Sequence, residues 1–118
     1  MKLGMFLFCL VTLSVTGGAL AGTGIHRGKV TSTLTQEGVF GNCMALITPS
    51  PSQTLPSCRA GWVTFSCSGD FNSKSAGQTK FSQAQLGLVT GNGVVVVIDD
   101  TKTHNGYCFA NRIDVFFK

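Results

Sequence analysis

SAGQTKFSQAQLGLVTGNGVVVVI, residues 75–98, changes its hydrophobic period twice, and those changes decide the fold. Phe81, Ala84, Leu88 and Val89 recur at i, i+3, i+7 and i+8, with Lys80, Ser82, Gln83 and Gln85 polar around them. That is the pattern of a helix with one buried face. Ser75 and Gln78 stand at the spacing of a capping box, although Gly77 weakens the first turn. Thr90-Gly91-Asn92-Gly93 then supplies residues that tolerate a left-handed backbone, and the helix ends there. Residues 94–98 follow as an unbroken β-branched run, which reads as a central strand covered on both faces.

Strands are expected on both sides of this helix. Residues 22–29 (GTGIHRGK) are Gly-rich and polar, a loose lead-in. Residues 30–36 alternate, with Val30, Ser32 and Leu34 set against Thr31, Thr33 and Thr35, which suits a half-exposed strand. Glu37-Gly38 signals a turn, and residues 39–48 make a second strand with Gly41 as a bulge position. All three prolines fall in residues 49–57, an exposed loop. Residues 61–67 form a third strand, with Val63, Phe65 and Cys67 on its apolar face and Trp62, Thr64 and Ser66 opposite. After the helix and the 94–98 strand, residues 99–106 read as a polar loop ending in the tight-turn pair Asn105-Gly106. Residues 107–117 make the last strand, with Tyr107, Phe109, Asn111, Ile113 and Val115 on one face. Cys108, Ala110, Arg112, Asp114 and Phe116 take the other. Three strands, one short helix and two strands predict a mainly β domain: an OB-like five-stranded barrel with its helix between strands three and four. A small β-sandwich is the alternative, but it leaves the helix unexplained.

The amino terminus sets the compartment. Lys2 precedes an apolar run over residues 3–16, Gly17-Gly18 breaks it, and Ala19-Leu20-Ala21 places small residues where a signal peptidase cuts. The run is shorter than the ~20 residues that cross a bilayer, so residues 1–21 read as a cleaved secretory signal rather than a membrane anchor. Cys9 leaves with it. Residues 22–118 then form a single domain, secreted or periplasmic, that retains four of the five cysteines. In an oxidising compartment Cys43, Cys58, Cys67 and Cys108 pair as two disulfides, with three connectivities open. Zinc is the competing reading. It is disfavoured because there is no Cys-x-x-Cys pair and only His26 and His104 are at hand. A domain of this size buries a modest core, and each disulfide adds a few kcal/mol by restricting the unfolded chain.

The chemistry on offer points to binding, not catalysis. There is no nucleophile-elbow motif, and Asp99, Asp100 and His104 read as turn capping and solvation rather than as metal ligands or an acid–base group. Asp70 and Asp114 show no sign of the shelter that paired carboxylates need. No enzyme activity, cofactor or metal is expected. Without Lys2 of the signal the formal charge falls from +4 to +3, spread over Arg27, Lys29, Arg59, Lys74, Lys80, Arg112 and others without clustering, which disfavours nucleic acid. Trp62 and Tyr107 read as core or interface residues rather than base platforms. Abundant Ser, Thr, Asn and Gln beside aromatic side chains can hold a glycan or a protein partner.

A family resemblance sharpens this. Cys43, then Cys67 followed by a polar stretch, a helix of the form Phe81…Gln83-Ala84…Thr90-Gly91, and the 94–98 strand resemble the B subunits of subtilase-cytotoxin and pertussis-like (typhoid-toxin-type) toxins. The likeness covers residues 39–98. Those are small secreted OB-fold proteins that form homopentamers and bind sialylated host glycans. The resemblance implies a glycan-binding module that delivers a catalytic toxin subunit, with Cys43 paired to Cys67 and Cys58 to Cys108. The helix here is about a turn shorter, and the Cys58/Cys108 pair is additional. No sugar-contacting residue carries over, so the ligand-binding residues stay unassigned. A monomeric secreted interaction or inhibitor protein, working through loops 49–57 and 99–106, is the alternative.

Overall fold

A computed structural model describes residues 22–117; the expected signal segment, residues 1–21 with Cys9, lies outside the described residues. Among the described residues there are five strands, one α-helix and a one-turn 3-10 helix (Pro51–Gln53): β1 (Thr23–Gln36), β2 (Asn42–Thr48), β3 (Trp62–Thr64), α1 (Lys74–Thr90), β4 (Gly93–His104) and β5 (Tyr107–Phe116). The strands bond in the order β1-β2-β3-β5-β4, and β4 pairs back onto β1, so the sheet closes on itself. All ladders are antiparallel except β3 against β5, which is parallel and rests on the single pair Thr64 and Phe109. The β3–β5 junction is therefore the thinnest seam in the sheet.

Several sequence expectations change. The Gly-rich lead-in is not loose: from Thr23 onward it is strand, because residues 23–28 pair with β4 from Asp99 back to Val94. Gly24 and Gly28 suit this, since a Cβ at either would crowd the 48–55 segment. The second strand begins at Asn42, not at residue 39; residues 39–41 belong to a turn. The polar stretch 99–104 continues β4 to His104, leaving only Asn105-Gly106 as the turn. Backbone pairing with β1 and β5, not side-chain polarity, decides its conformation.

A further change concerns faces. Cys108 and Ala110 of β5 are buried as expected, and Phe109 between them is buried as well, under Phe71 and Lys80. Val97 then pairs with Arg112 and Ile98 with Ala110, so Asn111 is an extra, bulged residue. A bulge reverses parity, and Ile113 and Val115 take the inward positions beyond it. Another register shift between Val30 and Ser32 does the same in β1.

The core fills the closed sheet: Val30, Ala45, Ile47, Val63, Phe65, Val94, Val96 and Ile98 pack with the four cysteines. In β4 the inner residues Val94, Val96 and Ile98 are fully buried while Val95 and Val97 are half-buried, so this strand is covered on one face, not two. The helix crosses one end of the core through Gly77, Phe81, Ala84 and Gly87. Val89, expected on that face, is exposed. The cap is Ser73, whose hydroxyl accepts from the Ala76 N–H at 3.1 Å, rather than Ser75. Gly91 closes the other end in a left-handed conformation. Gly77 is a packing residue: a Cβ there would lie 2.9 Å from Cys67 Cα and from the Phe65 and Ser66 carbonyls.

Two disulfides tie the ends of these elements, Cys43–Cys67 and Cys58–Cys108, with Cα atoms 5.6 and 5.4 Å apart. The second fastens the 49–61 segment to β5. Two buried disulfides suit an oxidising, extracellular or periplasmic environment. Among the described residues no helix is long and apolar enough to cross a membrane.

Candidate functional site

Two polar assemblies flank the β3–β5 seam. The first is a line of side chains from β3, β4 and the segment between β3 and α1. His104 Nε2–H donates to Asp70 at 2.8 Å, and its Nδ1 pairs with the Thr64 hydroxyl at 2.9 Å. A carboxylate accepts only, so Nε2 carries a proton towards Asp70, while the Thr64 hydroxyl also reaches the Phe40 carbonyl at 3.2 Å. Phe71 stacks on the imidazole with centroids 4.5 Å apart. Gly41 makes room: it has φ +68°, and a Cβ there would overlap the ring. Hydrogen bonds from His104 and then Ser68 hold the Asp70 carboxyl below its ordinary value.

Hydroxyl, imidazole and carboxylate in a row resemble a hydrolytic triad, but access is inverted. A working triad buries its carboxylate and presents its nucleophile. Here Thr64 is fully buried and the Asp70 side chain is 60% exposed. Its chemical effect is to fasten the 66–73 segment over the seam. Sequence reading grouped His104 with Asp99 and Asp100; the structure separates them. Asp99 caps Thr101 locally, while Asp100 accepts from the Gly22 N–H at 2.7 Å and the Ser57 hydroxyl at 2.6 Å. No cluster of three metal-ligating side chains exists among the described residues. His26 is buried and structural: Nε2–H donates to the Pro49 carbonyl at 2.7 Å, and Nδ1 accepts from Thr54 at 2.8 Å.

The second assembly is a cleft of about 590 Å³ on the other side of the stacked Phe71. Phe109 of β5 and Phe71 form its apolar floor, their centroids 5.5 Å apart. The first two turns of α1 supply one wall through Ser75, Ala76, Thr79 and Lys80. Lys102 from β4 and the bulged Asn111 supply the other. Lys80 Nζ sits 4.3 Å from the Phe109 ring centroid and donates to the Ala110 carbonyl at 3.0 Å. Lys102 Nζ approaches the same ring at 6.0 Å. Burial pushes the Lys80 ammonium down to about 8. Asn72, at the base, donates both amide hydrogens to the Phe65 and Ser66 carbonyls, and its buried Oδ1 has no partner.

The cleft is thus aromatic below, rimmed with amides and hydroxyls, and carries two ammoniums with no carboxylate among its lining residues. Sequence reading assigned none of these residues to a site. One partial signal existed: Phe109 and Asn111 share a face of the last strand. Nothing local links them to Lys80, 29 positions earlier, or to Lys102 across a turn. Tyr107 lies outside the cleft, where Arg59 stacks on it at 4.7 Å.

Fold and site together define a small, disulfide-linked, closed β-domain carrying a basic aromatic cleft. The chain matches no protein-family model, no curated protein and no solved structure at a significant level.

Proposed function

We propose that this chain is a secreted OB-like barrel that binds cell-surface glycans in the manner of a toxin B subunit. In that role it assembles as a homopentamer and delivers a catalytic partner subunit. The closed five-stranded order with one helix between β3 and β4 supports the OB-like assignment. One observation carries the ligand class: the cleft over Phe109. The half-buried ring of Phe71 offers an apolar surface to the C–H face of a sugar, and the exposed Ser75, Thr79 and Asn111 match hydroxyl groups around it. Lys80 and Lys102, unopposed by a carboxylate in the cleft, favour an acidic sugar such as a sialic acid.

A glycan array probed with the protein starting at Gly22 tests this reading. Binding to sialylated glycans is expected, and Lys102→Gln should weaken it at least tenfold. A hydrogen bond to a charged group contributes about 1.5–3 kcal/mol, or roughly 10- to 150-fold in affinity. No signal above background on sialylated or other glycans overturns it. Light scattering at micromolar concentration addresses assembly separately: a monomer refutes the ring and favours a monomeric interaction or inhibitor protein.

A further inference from the structure

We propose that the Lys80 amine captures small anionic carbonyl compounds as an imine inside the cleft, an activity independent of glycan binding. Lys80 is the one lysine drawn into this concave surface from the helix side, and its stem is half-buried. Its Nζ faces the Phe109 ring and a single backbone carbonyl. The ion pairs of the described residues, His104–Asp70 and Arg112–Asp114, both lie elsewhere. With no carboxylate beside it, burial outweighs the ring and carbonyl contacts that favour its charge, and its pKa falls to about 8. A neutral amine is the nucleophilic form, and desolvation in an apolar pocket is a recognised way to obtain one. Lys102, exposed on the opposite wall, supplies the positive charge that draws an anion over the same ring.

The step balances without a further reagent. The Lys80 nitrogen adds its lone pair to the carbonyl carbon as the C=O π pair moves to oxygen. A proton passes from nitrogen to that oxygen, giving a carbinolamine. The hydroxyl takes up a proton and leaves as water as the nitrogen lone pair forms the C=N bond, and the second nitrogen proton is released, so no net proton is consumed. The product is a neutral imine, in equilibrium with its protonated form, and water hydrolyses it unless it is reduced.

At pH 7 an amine with a pKa near 8 is roughly one-tenth neutral, against about one part in 2,500 for an ordinary lysine near 10.4. Lower basicity returns some of that advantage, so about a tenfold preference for Lys80 is expected. The test treats the folded protein with limiting glyoxylate and sodium cyanoborohydride, which fixes the imine as a secondary amine, and maps the modified peptides by mass spectrometry. The first adduct should fall on Lys80, its rate should level off above about pH 8, and Lys80→Arg should abolish it while the melting curve is retained. Lys102→Gln should slow reaction with glyoxylate several-fold and leave neutral glycolaldehyde unaffected. Adducts spread over Lys29, Lys74 and Lys102 in step with exposure, or a Lys80 rate still climbing beyond pH 9, overturn the proposal. Equal slowing of both probes by Lys102→Gln overturns its anionic selectivity. Because the probes are small molecules, a negative glycan array leaves this outcome unaffected.

Discussion

Replacing Gly41 by Ala tests whether the backbone there is shaped for His104. Gly41 has φ +68°, and a left-handed conformation costs a residue with a Cβ about 1 kcal/mol. The new Cβ would also lie 2.5 Å from His104 Cε1 and 2.6 Å from Thr64 Oγ1. The ring must move, which breaks the buried bond to Thr64, worth about 1 kcal/mol, and the solvent-screened bond to Asp70, which adds little. The sum is about 2 kcal/mol, or a fall in Tm of roughly 8–16 °C for a domain near 100 residues. In a His104→Ala background the ring and both bonds are already gone, so Gly41→Ala should cost only about 1 kcal/mol plus the residual contact with Thr64. Urea unfolding of the wild type, both single variants and the double variant gives the cycle, with a coupling of about 1 kcal/mol expected. Equal costs for Gly41→Ala in both backgrounds would refute the argument. The glycine would then serve the turn alone.

Further outcomes follow from the staples and the carboxylates. Removing the Cys58–Cys108 bond, which spans 50 residues, as the double Ala variant should cost about 4 kcal/mol on loop-entropy grounds. Removing Cys43–Cys67, which spans 24, should cost about 3.4 kcal/mol, and thermal unfolding of the two variants should show that order. Asp70 has a folded pKa below its unfolded value, so its contribution is complete above about pH 4 and disappears as pH falls through the folded pKa. Acid titration of unfolding should therefore be shallower below pH 4 in Asp70→Asn, and an unchanged slope would contradict the His104 and Ser68 bonds. Cleavage after Ala21 would turn the Gly22 amide, 2.7 Å from Asp100, into an α-ammonium. The protein starting at Gly22 should then melt higher than the same chain with an acetylated terminus, and Asp100→Asn should erase the difference.

Local pattern and composition were enough for the number of strands after residue 30, the long helix with its Gly91 stop, and the pairing of Cys43, Cys58, Cys67 and Cys108 as disulfides. These features are readable because hydrophobic period, left-handed tolerance and cysteine chemistry act over a few residues or on residue type. The lead-in was misread for the opposite reason: Gly24 and Gly28 look unstructured alone, and only the ladder to β4 makes them strand. Residues 99–104 likewise carry loop side chains on a backbone whose hydrogen bonds are satisfied by neighbours.

The cleft and the seam belong to the tertiary structure. Asn111 follows the alternation of Phe109, but no periodicity in 107–117 announces the bulge there or the inward positions of Ile113 and Val115 beyond it. Asp70 reaches His104 because the 66–73 segment folds back across β3. Lys80 has its pKa lowered because helix packing carries its stem into the cleft over Phe109. The sequence by itself determined the elements, their order and the means of stapling them, since each follows from near neighbours. Which side chains meet was decided only when the sheet closed. Closure sets the distances, and distance together with burial sets the chemistry.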